Sequence, residues 1–388
     1  MEKKSSLAPG FVLFAISIIF LITAGSLLQT RYGLMGLAAT EIGLLAIAIL
    51  GAMSLPGGIR KAFEVKMPQL KEASASFCVY IGTYGFTIGA ATLLLYLFPA
   101  MAEVSNAIND FFSEGGWLLV VAVSILPGIC EEALFRGTIQ SVFSKIQTIW
   151  IIVAITGVLF GLFHLDVYRF LPTMILGFGF AYIMAKTGNL LYSILLHMIH
   201  NFLGIMPLLF SNGEAAANEA AVVANPIQVA GSAAIFFGMG FLFVALGVRK
   251  FNGESLHKGN KKQTLLTIIC FVVIAAGFMA INSSAGAVAC DMDLSLTFYE
   301  EYNESISFDS PVAGVYQVEI SIDTNGSRGY VELFDTNGKL VFMSGEGTSF
   351  SASGPVSLEK GSYFCHIVID PVQEDQHTQA NVKVLVKR

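Results

Sequence analysis

Charge is what this chain has least of. Asp, Glu, Lys and Arg together make up 13% of its 388 residues, about half the share of an ordinary soluble domain. With 54% hydrophobic residues and a mean hydropathy of +0.68, this excludes a typical soluble protein and points to a polytopic membrane protein. No basic arm or Lys/Arg-rich tract is present, which excludes nucleic acid as an expected partner. The chain also lacks a His-Glu-x-x-His zinc motif and a convincing internal repeat of the kind transporters carry. Its first apolar run, after Met1-Glu2-Lys3-Lys4, is long and has no clear small-x-small cleavage site. It therefore reads as an uncleaved span rather than a signal peptide.

What the chain does have is apolar runs of about 20 residues, enough to cross ~30 Å of hydrocarbon. Nine are read, at 9–29, 34–54, 76–98, 117–135, 149–164, 169–186, 189–210, 226–247 and 263–282. Lys and Arg in the connections orient them. Lys3 and Lys4, then Arg60, Lys61, Lys66 and Lys71, then Lys145, Lys186, Arg249, Lys250, Lys258, Lys261 and Lys262 all fall on one side of nine spans. The other side carries Arg31, Arg169 and two acidic connections, with Glu103, Asp110 and Glu114 in one and Glu214 and Glu219 in the other. This predicts a multi-pass protein of the cell membrane, with a cytoplasmic N-terminus and an extracytoplasmic C-terminal part.

Beyond about residue 290 the long runs give way to short alternating segments at Ser305–Phe308, Val315–Ile322, Tyr330–Phe334, Leu340–Met343, Tyr363–Ile369 and Asn381–Val386. These read as strands of an antiparallel sandwich. Asp323-Thr324-Asn325-Gly326 and Asp335-Thr336-Asn337-Gly338 are near-identical turns whose Asn-Gly pairs favour hairpins. The expected architecture is an all-α polytopic membrane helix bundle over 1–285 and an all-β sandwich over 286–388. Cys78, Cys130 and Cys270 fall in apolar spans and read as small core residues. Cys290 and Cys365 fall in the exported part, where a disulfide could persist and two unpaired thiols are equally compatible.

Three polar clusters interrupt the apolar spans: Glu131-Glu132-Ala133-Leu134-Phe135-Arg136, then Phe160-Gly161-Leu162-Phe163-His164, then His197-Met198-Ile199-His200-Asn201. Each ionisable group at bilayer depth costs roughly 2.5–3.5 kcal/mol on insertion scales. Glu132 and Arg136 are i,i+4 and can pair along one helix face. Glu131 is turned away by about 100°, which leaves its carboxylate for work. A lone pair of this kind is more often a buried structural ion network. The polar clusters on neighbouring helices reverse that preference. His197 and Asn201 share a face and offer a proton carrier beside a neutral donor; interhelical hydrogen bonding is the simpler role for them. His164 alone reads as a satisfied or interfacial histidine. His200, i+3 from His197, borders the same face. Glu41, inside the second span, matches no motif and is either a bundle-facing structural residue or one that tunes the site.

Together the motifs Glu-Glu-x-x-x-Arg, Phe-x-x-x-His and His-x-x-x-Asn resemble those of the CPBP intramembrane proteases. That family includes the CAAX prenyl proteases and the Abi and bacteriocin-processing or immunity proteins. The likeness runs over 117–204 and includes Tyr182-x-x-x-Lys186-Thr187-Gly188-Asn189-Leu190. It implies a protease core over about 70–210. Glu131 would activate a water with help from His164. His197 and Asn201 would polarise the scissile carbonyl and hold the oxyanion, and Glu132 and Arg136 would orient the site. Glu131, His164 and His197 could also make a zinc site, although metal-free glutamate catalysis is placed ahead of it. The cofactor expectation is therefore none or zinc.

The resulting expectation is an intramembrane endopeptidase that hydrolyses a peptide bond in a membrane-associated peptide or protein. An extracellular partner is expected for the tail. The alternatives are a catalytically idle membrane scaffold or immunity protein, and a proton-coupled transporter.

Overall fold

A computed structural model describes residues 7–98, 100–101, 111–112, 116–210, 226–254, 261–284, 288–311, 313–371 and 377–388. Lys3, Lys4, Lys258 and both acidic connections named above lie outside the described residues. The chain divides into two compact units, a helical one ending at Met279 and one holding the strands.

The helical unit is built from α1 (Ala8–Met53), α2 (Leu70–Leu97), α3 (Gly116–Phe143), α4 (Ile149–Phe163), α5 (Val167–Thr187), α6 (Leu190–Phe210), α7 (Pro226–Phe251) and α8 (Lys261–Ser284). Among the described residues, seven helices are long and apolar enough to cross a membrane. The nine spans expected from the sequence exceed this count because two of them share one helix and a third is short. Helix α1 holds 46 residues, and Gly33 breaks it at φ 55° and ψ −129°, a conformation open to glycine alone. Its two arms fold back on each other, so that Gly25 meets Thr40, Gly43 meets Phe20 and Gly51 meets Leu13. Two sequence spans thus form one helical hairpin. Helix α4 has 15 residues, or about 22 Å of rise, shorter than the hydrocarbon core.

Two apolar cores hold the helices. In one, Leu44 and Ala48 of α1 pack with Leu134, Phe135 and Ile139 of α3 and with Phe160 and Phe163 of α4. In the other, Val79 and Tyr80 of α2 meet Phe180 and Ile183 of α5 and Tyr192 and Leu196 of α6. Close crossings use small residues, as lipid-embedded helices require. Gly177 of α5 lies on Gly157 of α4, and Gly85 of α2 lies on Gly240 of α7. Leu27, Leu50, Trp117 and Val272 face outward, each more than half exposed.

The second unit is a sandwich of two four-stranded antiparallel sheets, ordered β1-β8-β3-β6 and β2-β7-β4-β5. The strands are β1 (Val288–Phe298), β2 (Tyr302–Ser310), β3 (Gly314–Thr324), β4 (Gly329–Asp335), β5 (Leu340–Met343), β6 (Ser349–Leu358), β7 (Gly361–Ile369) and β8 (Thr378–Lys387). Alternate residues fill the core: Val318, Ile320 and Ile322 on β3, Cys365, Ile367 and Ile369 on β7, and Val382, Val384 and Val386 on β8.

Two expectations about the strands need correction. The second Asn-Gly turn does close a hairpin, with Asp335 Oδ1 accepting the N–H groups of Asn337 and Lys339 at 2.8 and 2.9 Å. The first does not, because β3 and β4 belong to different sheets. There Asn325 reaches β8: its N–H donates to the Gln379 carbonyl at 3.1 Å, and its Oδ1 accepts the Gln379 N–H at 3.0 Å. Strands β1 and β6 add to the six read from the sequence. Ser351, Ser353, Gly354 and Pro355 disguise β6 as a loop, a composition an edge strand tolerates. Cys290 and Cys365 are free thiols buried in the sandwich core. Burial pushes Cys290 up to about 11 and Cys365 up to about 12, so both stay protonated and unreactive at neutral pH.

Candidate active site

Helix α3 is not a uniform α-helix. It widens to π-helical turns at Val120–Ile125 and again at Ala133–Ile139, on either side of the segment Leu126–Glu132. Pro127 explains the first of these, since it supplies no N–H to the preceding turn. The Glu-Glu pair sits at the edge of the second, where π-turns often mark functional positions.

Two small residues on α3 bring α6 close. Gly128 lies directly against Met198, and the Ser124 hydroxyl donates to the Met198 carbonyl at 2.7 Å. This seats the preceding residue, His197, over the two glutamates. The start of α6 is fixed separately. The Asn189 side chain brackets Lys66, accepting its N–H and donating to its carbonyl, each at 3.1 Å. The Tyr192 hydroxyl accepts the Gln69 N–H at 2.8 Å. These contacts give the Lys186–Leu190 stretch a structural reason.

At the centre, the side chains of Glu132 and Arg136 are both 0% exposed, and Arg136 Nη1 donates to Glu132 Oε1 at 2.7 Å. Arg136 Nη2 donates to the Gly177 carbonyl of α5 at 3.3 Å. Its guanidinium lies 4.3 Å from the Phe160 ring centre, 5.3 Å from Phe180 and 5.9 Å from Phe135, so three π-faces replace part of its hydration. Glu132 Oε1 also contacts His197 Nδ1 at 2.9 Å. That contact directs the imidazole's other nitrogen away from Glu132. Phe180 stacks on the ring at 5.3 Å and 26°, and Phe160 meets it edge-on at 5.7 Å. His197 Nε2 then faces Glu131 Oε2 at 4.0 Å, too long for a direct hydrogen bond. Glu131 is buried, and this Oε2 has no hydrogen-bond partner among the described residues.

The remaining sequence candidates are placed less tightly. His164 caps α4, with Nδ1 2.9 Å from the Phe160 carbonyl and its ring against the Phe160 ring. Leu165 beside it has φ +53°, unlike any other non-glycine among the described residues. Such strain in a bulky residue tends to gather near working sites. Asp166 then caps α5 by accepting the Tyr168 N–H at 2.8 Å. Asn201 is half-buried, one turn beyond His197. His200 faces elsewhere, edge-on to Tyr84 at 5.3 Å and Tyr80 at 6.4 Å. Glu41 is read from the sequence as a bundle-facing structural residue or as one that tunes the site. The structure buries it as an electrostatic neighbour of Glu131.

Among the described residues no three His, Cys, Asp or Glu side chains converge to hold a metal ion.

The two glutamates therefore differ in their contacts. Glu132→Ala strands a buried guanidinium and should cost about 3–5 kcal/mol. Glu131→Gln keeps a polar group of the same shape and should leave stability close to that of the wild type. Thermal unfolding of the two variants in detergent separates them; equal midpoints would refute the assignment.

Residues 113–203 match the model of the family described as type II CAAX prenyl endopeptidase Rce1-like. This segment contains all three polar clusters. YdiL of Bacillus subtilis (strain 168), named only as a candidate membrane peptidase, is 30% identical over 139 residues, covering 35% of this chain and 55% of YdiL. An uncharacterised protein of Mycoplasma capricolum is 23% identical over 194 residues, covering 46% of this chain and 56% of that protein. The chain thus spans about half the length of the curated relatives it matches. The segment that carries Glu131, Arg136, His164, His197 and Asn201 is thus the part of the chain that is similar to the type II CAAX prenyl endopeptidases and to a membrane peptidase candidate.

Proposed function

We propose that the chain is an intramembrane endopeptidase that hydrolyses a peptide bond in a membrane-associated peptide or protein. One observation carries this reading. Of two adjacent buried glutamates, Glu132 is held by Arg136 and His197, while Glu131 faces His197 Nε2 with an oxygen that has no hydrogen-bond partner among the described residues.

In this mechanism Glu131 takes a proton from a water, whose oxygen bonds to the scissile carbonyl carbon. The carbonyl electrons move onto oxygen, where His197 and Asn201 supply the stabilising contacts. Glu131 then passes its proton to the leaving nitrogen as the C–N bond breaks, releasing a carboxylate and an amine. His164 flanks the site and assists the water. Glu132 and Arg136 position His197 without touching substrate. No step requires a metal.

The test uses full-length protein in proteoliposomes and a quenched-fluorescence prenylated CAAX peptide, together with a transmembrane model peptide. Glu131→Gln should lower cleavage by about 10²–10⁴-fold. Wild-type activity should survive exhaustive chelation. Equal rates in wild type and Glu131→Gln would sink the catalytic assignment. Loss on chelation with recovery on zinc addition would sink the metal-free mechanism.

The charge asymmetry of the connections further supports a cytoplasmic N-terminus and an extracytoplasmic sandwich that would engage an extracellular or envelope partner. Asn337 is exposed at the β4–β5 turn, and all five native cysteines are buried. Asn337→Cys should therefore react with a membrane-impermeant thiol reagent on intact cells while the parent protein does not. Labelling only after permeabilisation would reverse the topology.

A further inference from the structure

Glu41 is the buried ionisable side chain that the mechanism above leaves unused. It lies on the second arm of α1, is 4% exposed, and its Oε2 has no hydrogen-bond partner among the described residues. The arm is locked against α3. The Thr138 hydroxyl donates to the Ala48 carbonyl at 3.0 Å, and Leu44 and Ala48 share a core with Ala133 and Leu134. Glu41, Leu44 and Ala48 are spaced i, i+3, i+7 and line one helix face. Seven residues before Ala48 is Glu41, and seven residues before Thr138 is Glu131. Both carboxyls therefore precede the anchoring hydrogen bond by between one and two turns, on neighbouring helices. The two groups interact electrostatically, and both neighbour the buried Cys130 thiol.

This placement does not stabilise the bundle. An unpartnered buried carboxyl costs free energy, and a second carboxyl beside it adds to the cost. A residue kept only for packing would be apolar here. Each carboxyl keeps an oxygen with no hydrogen-bond partner among the described residues, and one water molecule, which carries two donor hydrogens, can satisfy both.

We propose that Glu41 is the second carboxylate of the water site, so that the attacking water is held by one hydrogen bond to Glu41 and one to Glu131. Glu131 abstracts its proton. Glu41 keeps the other hydrogen and thereby aims the oxygen lone pair at the carbonyl carbon. This role rests on the reading of Glu131 as the base.

The experiment compares Glu41→Leu and Glu41→Gln in full-length protein, using the proteoliposome assay with the prenylated CAAX peptide and the transmembrane peptide, and thermal unfolding in detergent. Glu41→Leu should lower kcat about a hundredfold with KM unchanged. Glu41→Gln, whose amide oxygen still accepts from water, should recover most of that loss. The unfolding midpoint of Glu41→Leu should equal or exceed that of wild type. A lowered midpoint would make Glu41 structural and overturn the proposal. Wild-type kcat in Glu41→Leu, alongside an inactive Glu131→Gln, would overturn it while leaving the base intact. Cleavage of neither peptide by wild type would fail the protease reading, and this role with it.

Discussion

The site depends on one carboxylate oxygen. Glu132 Oε1 takes a hydrogen bond from Arg136 and contacts His197 in the same buried space. Burying two opposite charges is costly unless their geometry is close and their remaining donors are met. Here Arg136 finds the Gly177 carbonyl and three aromatic faces. Four helices are tied through this point: α3 supplies both charges, α4 supplies Phe160, α5 supplies Gly177 and Phe180, and α6 supplies His197. The carboxylate that does no chemistry in this mechanism sets the position of the groups that do.

Glycine and serine set the distances this arrangement needs. Gly128 and Ser124 let α6 approach α3. Gly177 on Gly157 brings α5 close to α4, which places the accepting carbonyl within reach of Arg136. A side chain at either glycine would hold two helices apart and leave a charged group short of its partner. Packing and electrostatics are thus one constraint here.

Much of this was legible in the sequence. Apolar run length revealed the membrane-crossing helices, i,i+4 spacing revealed the Glu132–Arg136 pair, and period-two alternation revealed six of the eight strands described. What stayed hidden depends on contacts between distant segments. No local pattern links Glu132 to His197, 65 residues away, or Glu41 to Glu131. The π-turns of α3 follow from Pro127 and from packing, so helical periodicity alone does not show them. The glycine that folds α1 back on itself was visible, but any glycine in an apolar run looks the same until its φ is known. In the sandwich, Asn325-Gly326 and Asn337-Gly338 carry identical turn chemistry and serve different connections. The difference lies in which sheet receives the next strand, and that is set by the core.

The pairing of Glu132 with Arg136 inside a single helix also bears on how the protein is made. A helix entering the bilayer from the translocation machinery meets lipid before its neighbours arrive. Three separate charges would oppose that entry by several kcal/mol. Because the guanidinium and one carboxylate lie one turn apart on α3, they can neutralise each other before any partner helix is present. The segment then enters with a single unpaired acid, and the partner helices assemble around a charge pair that already exists.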